Sequence, residues 1–192
     1  DVSGRAYVLT GATRGLGRAT AEALVADGAH VLVSGRRQDS VDDAVAALEA
    51  IGGAGAALGE VADNGDADAA SRLVARAKDH WGRLDGILIS VGGPPGGRVT
   101  AMTDRQWLDS FESVFLGAVR LARTAAAELE DGGSIAFVLS TSVRQPVAGL
   151  AISNGLRPGL AMVAKDLADE LGPRGIRVNG LLPGRVGTDR VA

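Results

Sequence analysis

Cysteine is absent from these 192 residues, which excludes disulfide bonds and thiolate-ligated metal sites. Two distant histidines, His30 and His80, form no metal cluster, and both read as ordinary surface residues. Aromatic residues make up only 3% of a chain that is 46% hydrophobic, so Ala, Val and Leu must build the core. Proton-donating phenols are scarcer still: Tyr7 is the single tyrosine, placed in an apolar run and expected to face the core. No apolar stretch approaches the roughly 20 residues needed to span a membrane, and no signal peptide is visible. A net charge of −3 with no basic run argues against a nucleic-acid partner. These exclusions leave a soluble, cytoplasmic globular protein as the expectation.

What is abundant is glycine, at 28 positions, among alternating elements. Short β-branched runs predict strands at 6–10, 30–34, 56–61, 86–91, 134–140 and 176–182. Between them, helical periodicity predicts helices at 15–27, 39–51, 66–80, 103–130 and 158–171. Regular β-α alternation with continuously apolar strands predicts a doubly wound parallel sheet, the Rossmann arrangement in three α/β/α layers. No linker or repeat divides the chain, so one domain over 1–192 is expected. In the helix at 103–130, Trp107, Phe111, Val114, Phe115, Ala118, Leu121 and Ala125 form a core stripe at helical spacing.

The first strand runs into "TGATRGLGRATAEAL", residues 10–24. A strand, then Gly11, Gly15 and Gly17, then a helix, is the arrangement that holds a pyrophosphate at a helix N-terminus. Backbone N–H groups and the helix dipole favour the anion, and missing Cβ atoms let it approach. Thr13, Arg14 and Leu16 lie within the same loop. After the second strand comes "VSGRR", with Gly35 near the position where an acid would select NAD, followed by Arg36 and Arg37. Guanidinium groups without a competing carboxylate favour the 2′-phosphate of NADP(H) over NAD(H).

The spacing T-G-x-x-x-G-x-G resembles the short-chain dehydrogenase/reductase family, and correspondences extend over essentially the whole chain. "LDGILISVGG" (84–93) is similar to the family's strand-4 segment, with Ser90 and Gly92 inside it. "EVAD" (60–63) resembles the pair that contacts adenine, here Glu60 and Val61. "LLPGRVGT" (181–188) keeps the turn that contacts the nicotinamide end, through Pro183, Gly184, Val186 and Thr188. The "GGPP" and "SNxxR" variations look like a divergent branch similar to β-ketoacyl carrier-protein reductases. The resemblance implies a nicotinamide dinucleotide, a small carbonyl or alcohol substrate, and a homodimer or homotetramer. It also implies a C-terminal lid and last strand. A start at Asp1 and an end soon after the Pro-Gly turn suggest a trimmed piece of a longer protein.

The family's chemistry uses a serine, a tyrosine, a lysine four residues later and an asparagine. Carried over by position, the serine is Ser140, thirteen residues before position 153, with Ser142 as an alternative hydroxyl. The tyrosine position holds Ser153, far less acidic than a phenol of pKa about 10. The lysine position holds Arg157, which can bind ribose hydroxyls or stabilise an oxyanion but does not exchange its proton. The asparagine position holds Val114, and Lys165 lies two turns further on, too far from the nicotinamide. Pro158 is expected to start the regular helix, which would take Ser153 and Arg157 off a common face. Two readings follow: an NADP-dependent oxidoreductase with an atypical active site, or an inactive nucleotide-binding protein with a regulatory or assembly role.

Overall fold

The computed structural model describes residues 1–184, 186 and 187; Thr188, expected at the nicotinamide end, lies outside them. Six strands form one parallel sheet: β1 (Ala6–Leu9), β2 (His30–Gly35), β3 (Ala57–Val61), β4 (Gly86–Ile89), β5 (Ser134–Val138) and β6 (Arg177–Leu181). Their order is β3-β2-β1-β4-β5-β6, with Leu9 paired to both Val33 and Leu88. The chain therefore winds outward from β1 in one direction and from β4 in the other. That reversal opens a crevice at the carboxyl ends of β1 and β4.

Helices cover both faces, as continuously apolar strands require. Helices α1 (Gly15–Ala26) and α2 (Gln38–Gly52) pack over β1–β3, with Leu9, Val31, Val33, Ala44 and Leu48 buried between them. On the other face lie α3 (Ala69–Trp81), α4 (Asp104–Ser110), α5 (Gly117–Glu128) and α6 (Ala151–Leu171). Their core gathers Val8, Leu73, Ile87, Leu121, Ile135, Phe137 and Leu160. Among the described residues, Phe137 is the single aromatic of the largest fully buried side chains, so aliphatic packing carries this core, as composition demands. Tyr7 packs against the α1/α2 side. His30 is not the surface residue expected: it is half-buried and its ring stacks on Trp81 at the end of α3.

Two helices depart from expectation. The helix predicted over 103–130 is α4 and α5 joined by a π-helical segment, Phe111–Leu116. The wider turn rotates the stripe, leaving Phe111 42% exposed and stacked on Phe115, while Val114 and Ala118 stay buried. The start expected near Pro158 is also wrong, because α6 begins at Ala151 and runs through the proline. A proline inside a helix costs about 3 kcal/mol. Burying Ile152, Leu156 and Leu160 contributes about 1.5–3 kcal/mol each and outweighs it. Gly155 and Gly159 let α6 press against α4 and the π segment: a Cβ on either would lie 2.8 Å from the Trp107 or Phe115 ring.

At the amino edge of the sheet, Asp85 ties β1 to β4. Its buried carboxylate accepts the Ala6 N–H at 2.9 Å and two hydrogen bonds from Arg83, at 2.7 and 2.6 Å. Burial pushes this carboxyl up, but the Arg83 and Ala6 donors outweigh it and hold it below its ordinary value. A lowered folded pKa adds stability above the unfolded carboxylate pKa of about 3.9, and that stability is lost as pH falls through the folded value. Asp85→Asn is therefore expected to cost about 1–3 kcal/mol at pH 7. Urea titrations at pH 7 and pH 3 should show the variant and wild type converging in acid; an equal gap at both pH values refutes this origin.

Candidate functional site

The crevice is built first by backbone. Gly11 (φ +59°) leaves β1 so close to the end of β4 that a Cβ there would meet the Ser90 carbonyl at 2.4 Å. Thr10, fully buried, seals the junction: its Oγ1 donates to the Ser90 carbonyl and accepts the Ser90 N–H, both at 3.1 Å. Gly17 sits against the same loop, where a Cβ would lie 2.8 Å from Ala12 Cα. Gly35 does the same for β2, since a Cβ there would lie 2.6 Å from Thr13 Cγ2. Thr10 was not among the residues singled out, although its place at the strand end, before the first glycine, signalled it.

Helix α1 starts at this junction with no side-chain cap on its first N–H groups and no acidic residue in its first turn. Its amide donors and dipole thus face the crevice uncompensated by side chains. Arg14 precedes it, and Arg36 follows Gly35, one residue on either side of the Thr13–Gly35 contact. Among the described residues, neither Arg14 nor Arg36 forms an ion pair. Arg37 does, which corrects the expectation of no competing carboxylate: Asp39 accepts from both its Nε and Nη2. Hydrogen bonds from Arg37, joined by the Ser40 amide, hold the Asp39 carboxyl down to about 2.

Glu60 is likewise engaged elsewhere. Arg72 and Arg76 of α3 bind its carboxylate at 2.6 and 3.1 Å, while Val61 stays exposed at the end of β3. Ser90 is held through its own N–H and carbonyl by the Thr10 hydroxyl, and Gly92 has open space beside it. Pro183 lines a cleft of about 380 Å³ with Leu16, Leu88, Val138 and Leu181, on the sheet face that carries α1. Gly184 and Val186 are exposed beyond it.

Around the carboxyl end of β5 lie the retained Ser140 and the substituted Arg157, with the substituted Ser153 one turn earlier on α6. Ser140 is half-buried, and its Oγ accepts the Ser142 N–H at 3.1 Å, capping a 3-10 turn over Thr141–Val143. Ser142 is 4% exposed with an unpartnered Oγ among the described residues, so Ser140 is the more accessible hydroxyl of the two. Ser153 and Arg157, 6% and 4% exposed, occupy one buried face of α6, contrary to the expectation that Pro158 separates them. The Arg157 guanidinium donates to the Val138 carbonyl at 2.8 Å. Val114 lies buried in the π segment, and Lys165 is exposed and paired with Asp169. Among the described residues, no group of three or more His, Cys, Asp or Glu could hold a metal ion.

The sheet reversal and the glycine-lined helix start at its switch point define a doubly wound α/β fold of the dinucleotide-binding type. The family model for short chain dehydrogenase matches residues 5–192. The chain belongs to the short-chain dehydrogenase/reductase family, a family of oxidoreductases. It is 36% identical over 192 residues to dehydrogenase/reductase SDR family member 4 of Oryctolagus cuniculus, covering 97% of this chain and 72% of that protein. A short-chain type dehydrogenase/reductase from Mycobacterium ulcerans superposes with a TM-score of 0.95 at 30% identity, over 100% of this chain and 71% of that one. A Burkholderia cenocepacia short chain dehydrogenase, solved in complex with NADP, superposes with a TM-score of 0.92 at 30% identity, over 98% of this chain and 77% of that one. Among the described residues, no helix is long and apolar enough to cross a membrane.

Proposed function

We propose that this protein is an NADP-dependent oxidoreductase that moves hydride between NADPH and a small carbonyl or alcohol compound, with an atypical proton route. The observation that carries the reading is the cradle at the switch point. Its glycines admit a close-lying group, the start of α1 favours an anion, and Arg14 and Arg36 flank the end of β2 without ion-pair partners among the described residues. A 2′-phosphate suits those two guanidinium groups, and the Burkholderia cenocepacia relative solved with NADP supports the choice. Gly11, Gly15 and Gly17 would hold the pyrophosphate, Val61 the adenine, and Ser90, Gly92 and Pro183 the nicotinamide half. The dinucleotide supplies the hydride.

Of the protein's own groups, the Ser140 hydroxyl would polarise the carbonyl oxygen. Arg157 keeps a permanent positive charge beneath the site and stabilises a developing oxyanion, but gives up no proton at neutral pH. Ser153 orients a water or substrate oxygen, so the transferred proton comes from solvent. The exposed Leu108, Phe111 and Met162, on α4, the π segment and α6, suit a twofold contact with a second copy. A second reading, an inactive nucleotide-binding protein with a regulatory or assembly role, draws on Val114 at the asparagine position and on the hydrogen bond from Arg157 to the Val138 carbonyl.

Turnover separates the two readings. NADPH oxidation should be followed at the nicotinamide absorbance against ketones and β-ketoacyl thioesters, and NADP reduction against alcohols. Tight NADPH binding with no turnover of any compound would sink the enzyme. Arg36→Glu is expected to weaken NADPH binding about tenfold to a hundredfold, equivalent to about 1.5–3 kcal/mol, and leave NADH binding little changed. Equal affinities for NADPH in variant and wild type, measured by calorimetry, would remove Arg36 from the site.

A further inference from the structure

Asn154 follows Ser153 in the first turn of α6, half-buried, and its amide reaches the loop that leaves β5. The Val147 N–H donates to Asn154 Oδ1 at 3.0 Å, and Asn154 Nδ2 donates to the Val147 carbonyl at 2.9 Å. One side chain thus takes both backbone groups of one residue, as a neighbouring strand would. Three residues further on, Leu150 forms a parallel bridge with Gly97, in the loop that leaves β4. There the Gly97 N–H donates to the Gly149 carbonyl at 2.6 Å, and the Ala151 N–H donates to the Gly97 carbonyl at 3.2 Å. The start of α6 and the loops after β4 and β5 form one hydrogen-bonded unit at the carboxyl edge of the sheet.

Gly149, whose carbonyl accepts the Gly97 N–H, holds a left-handed φ of +76° that other residues rarely adopt. Both loops leave the sheet at the edge where doubly wound folds bind ligands, beside Ser140 and Ser153. A neutral amide is the side chain that suits the latch, because it offers a donor and an acceptor in one plane. A carboxylate would face the Val147 carbonyl with a second oxygen.

We infer that Asn154 is a positioning residue: it latches the loop after β5 onto α6 and, through Gly149 and Gly97, holds both loops as a fixed wall of the substrate cleft. The latch stands on the hydrogen bonds alone; that the wall faces a substrate rests on the oxidoreductase reading. In a site without the phenol, the wall supplies orientation that would otherwise come from the tyrosine.

The test uses the full chain saturated with NADPH, as wild type, Asn154→Ala and Asn154→Asp. Residue-resolved hydrogen exchange is read at the Val147 and Gly97 amides. Both variants are expected to speed exchange at both amides together, about tenfold to a hundredfold, since Ala loses both hydrogen bonds and Asp keeps one acceptor but sets an oxygen against the Val147 carbonyl. NADPH affinity should stay within about twofold, since Asn154 lies outside the glycine cradle. With a carbonyl compound that the wild type reduces, KM should rise severalfold while kcat changes less. Faster exchange at Val147 with Gly97 unchanged would overturn the coupling of the two loops. Unchanged exchange at both would overturn the latch, and faster exchange with unaltered KM would overturn the positioning role. A wild type without turnover would refute the oxidoreductase reading, while the exchange result would still decide the latch.

Discussion

Arg157→Ala is expected to lower the unfolding free energy by about 3–4 kcal/mol, the sum of a large-to-small cavity and an orphaned carbonyl. The guanidinium is almost wholly buried and donates to the Val138 carbonyl where β5 ends. Removing the side chain leaves that carbonyl without this donor and opens space between α6 and the sheet. For a domain of this size the loss amounts to about 6–15 °C in Tm. Arg157→Met keeps most of the volume and isolates the polar part, so its cost should fall to about 1–3 kcal/mol. Urea unfolding of the two variants checks the division. If both lie within 0.5 kcal/mol of wild type, about the scatter of surface substitutions, Arg157 does not hold β5 to α6.

The second large effect is expected from Gly11→Ala. A Cβ at this position meets the Ser90 carbonyl at 2.4 Å, and the backbone is left-handed at φ +59°. Left-handed geometry costs an alanine about 1–2 kcal/mol, and separating the ends of β1 and β4 adds to it. On the proposed function, NADPH affinity should fall about a hundredfold, equivalent to about 2.7 kcal/mol, because the loop proposed to receive the pyrophosphate moves with Gly11. Gly4→Ala is the control: it has φ +69° but nothing within 4 Å of the added Cβ. It should show the conformational cost without loss of NADPH affinity. Calorimetric titration of both variants decides the matter, and equal NADPH affinities for the two would disprove the crowding argument.

The altered α6 segment illustrates how chemistry and packing separate in this protein. Ser153 and Arg157 change the acid-base groups, yet they share the buried face that the substituted residues would need. Pro158 does not break the arrangement, because the apolar residues around it gain more by burial than the helix loses.

Much was legible from local pattern. The strands emerged within one or two residues, because apolar β-branched runs buried on both faces leave a continuous signal. The glycine loop was legible for the same local reason: strand, glycines and helix adjoin in sequence. The Arg37–Asp39 pair is equally local, its partners lying two residues apart. Glu60 was different, since its partners Arg72 and Arg76 sit on the following helix and only packing of α3 against β3 brings them there.

The sequence by itself determined the alternating elements, the glycine cradle and the absence of tyrosine and lysine from the expected positions. Tertiary structure alone decided that α6 runs through Pro158, that a π segment turns Phe111 outward, and that Arg157 meets Val138. It also decided that Asn154 closes on Val147 and, beyond it, that Gly97 meets Gly149. The reason is distance along the chain: propensity and periodicity act over a few residues, whereas these outcomes balance local cost against burial and hydrogen bonds made by residues from other elements.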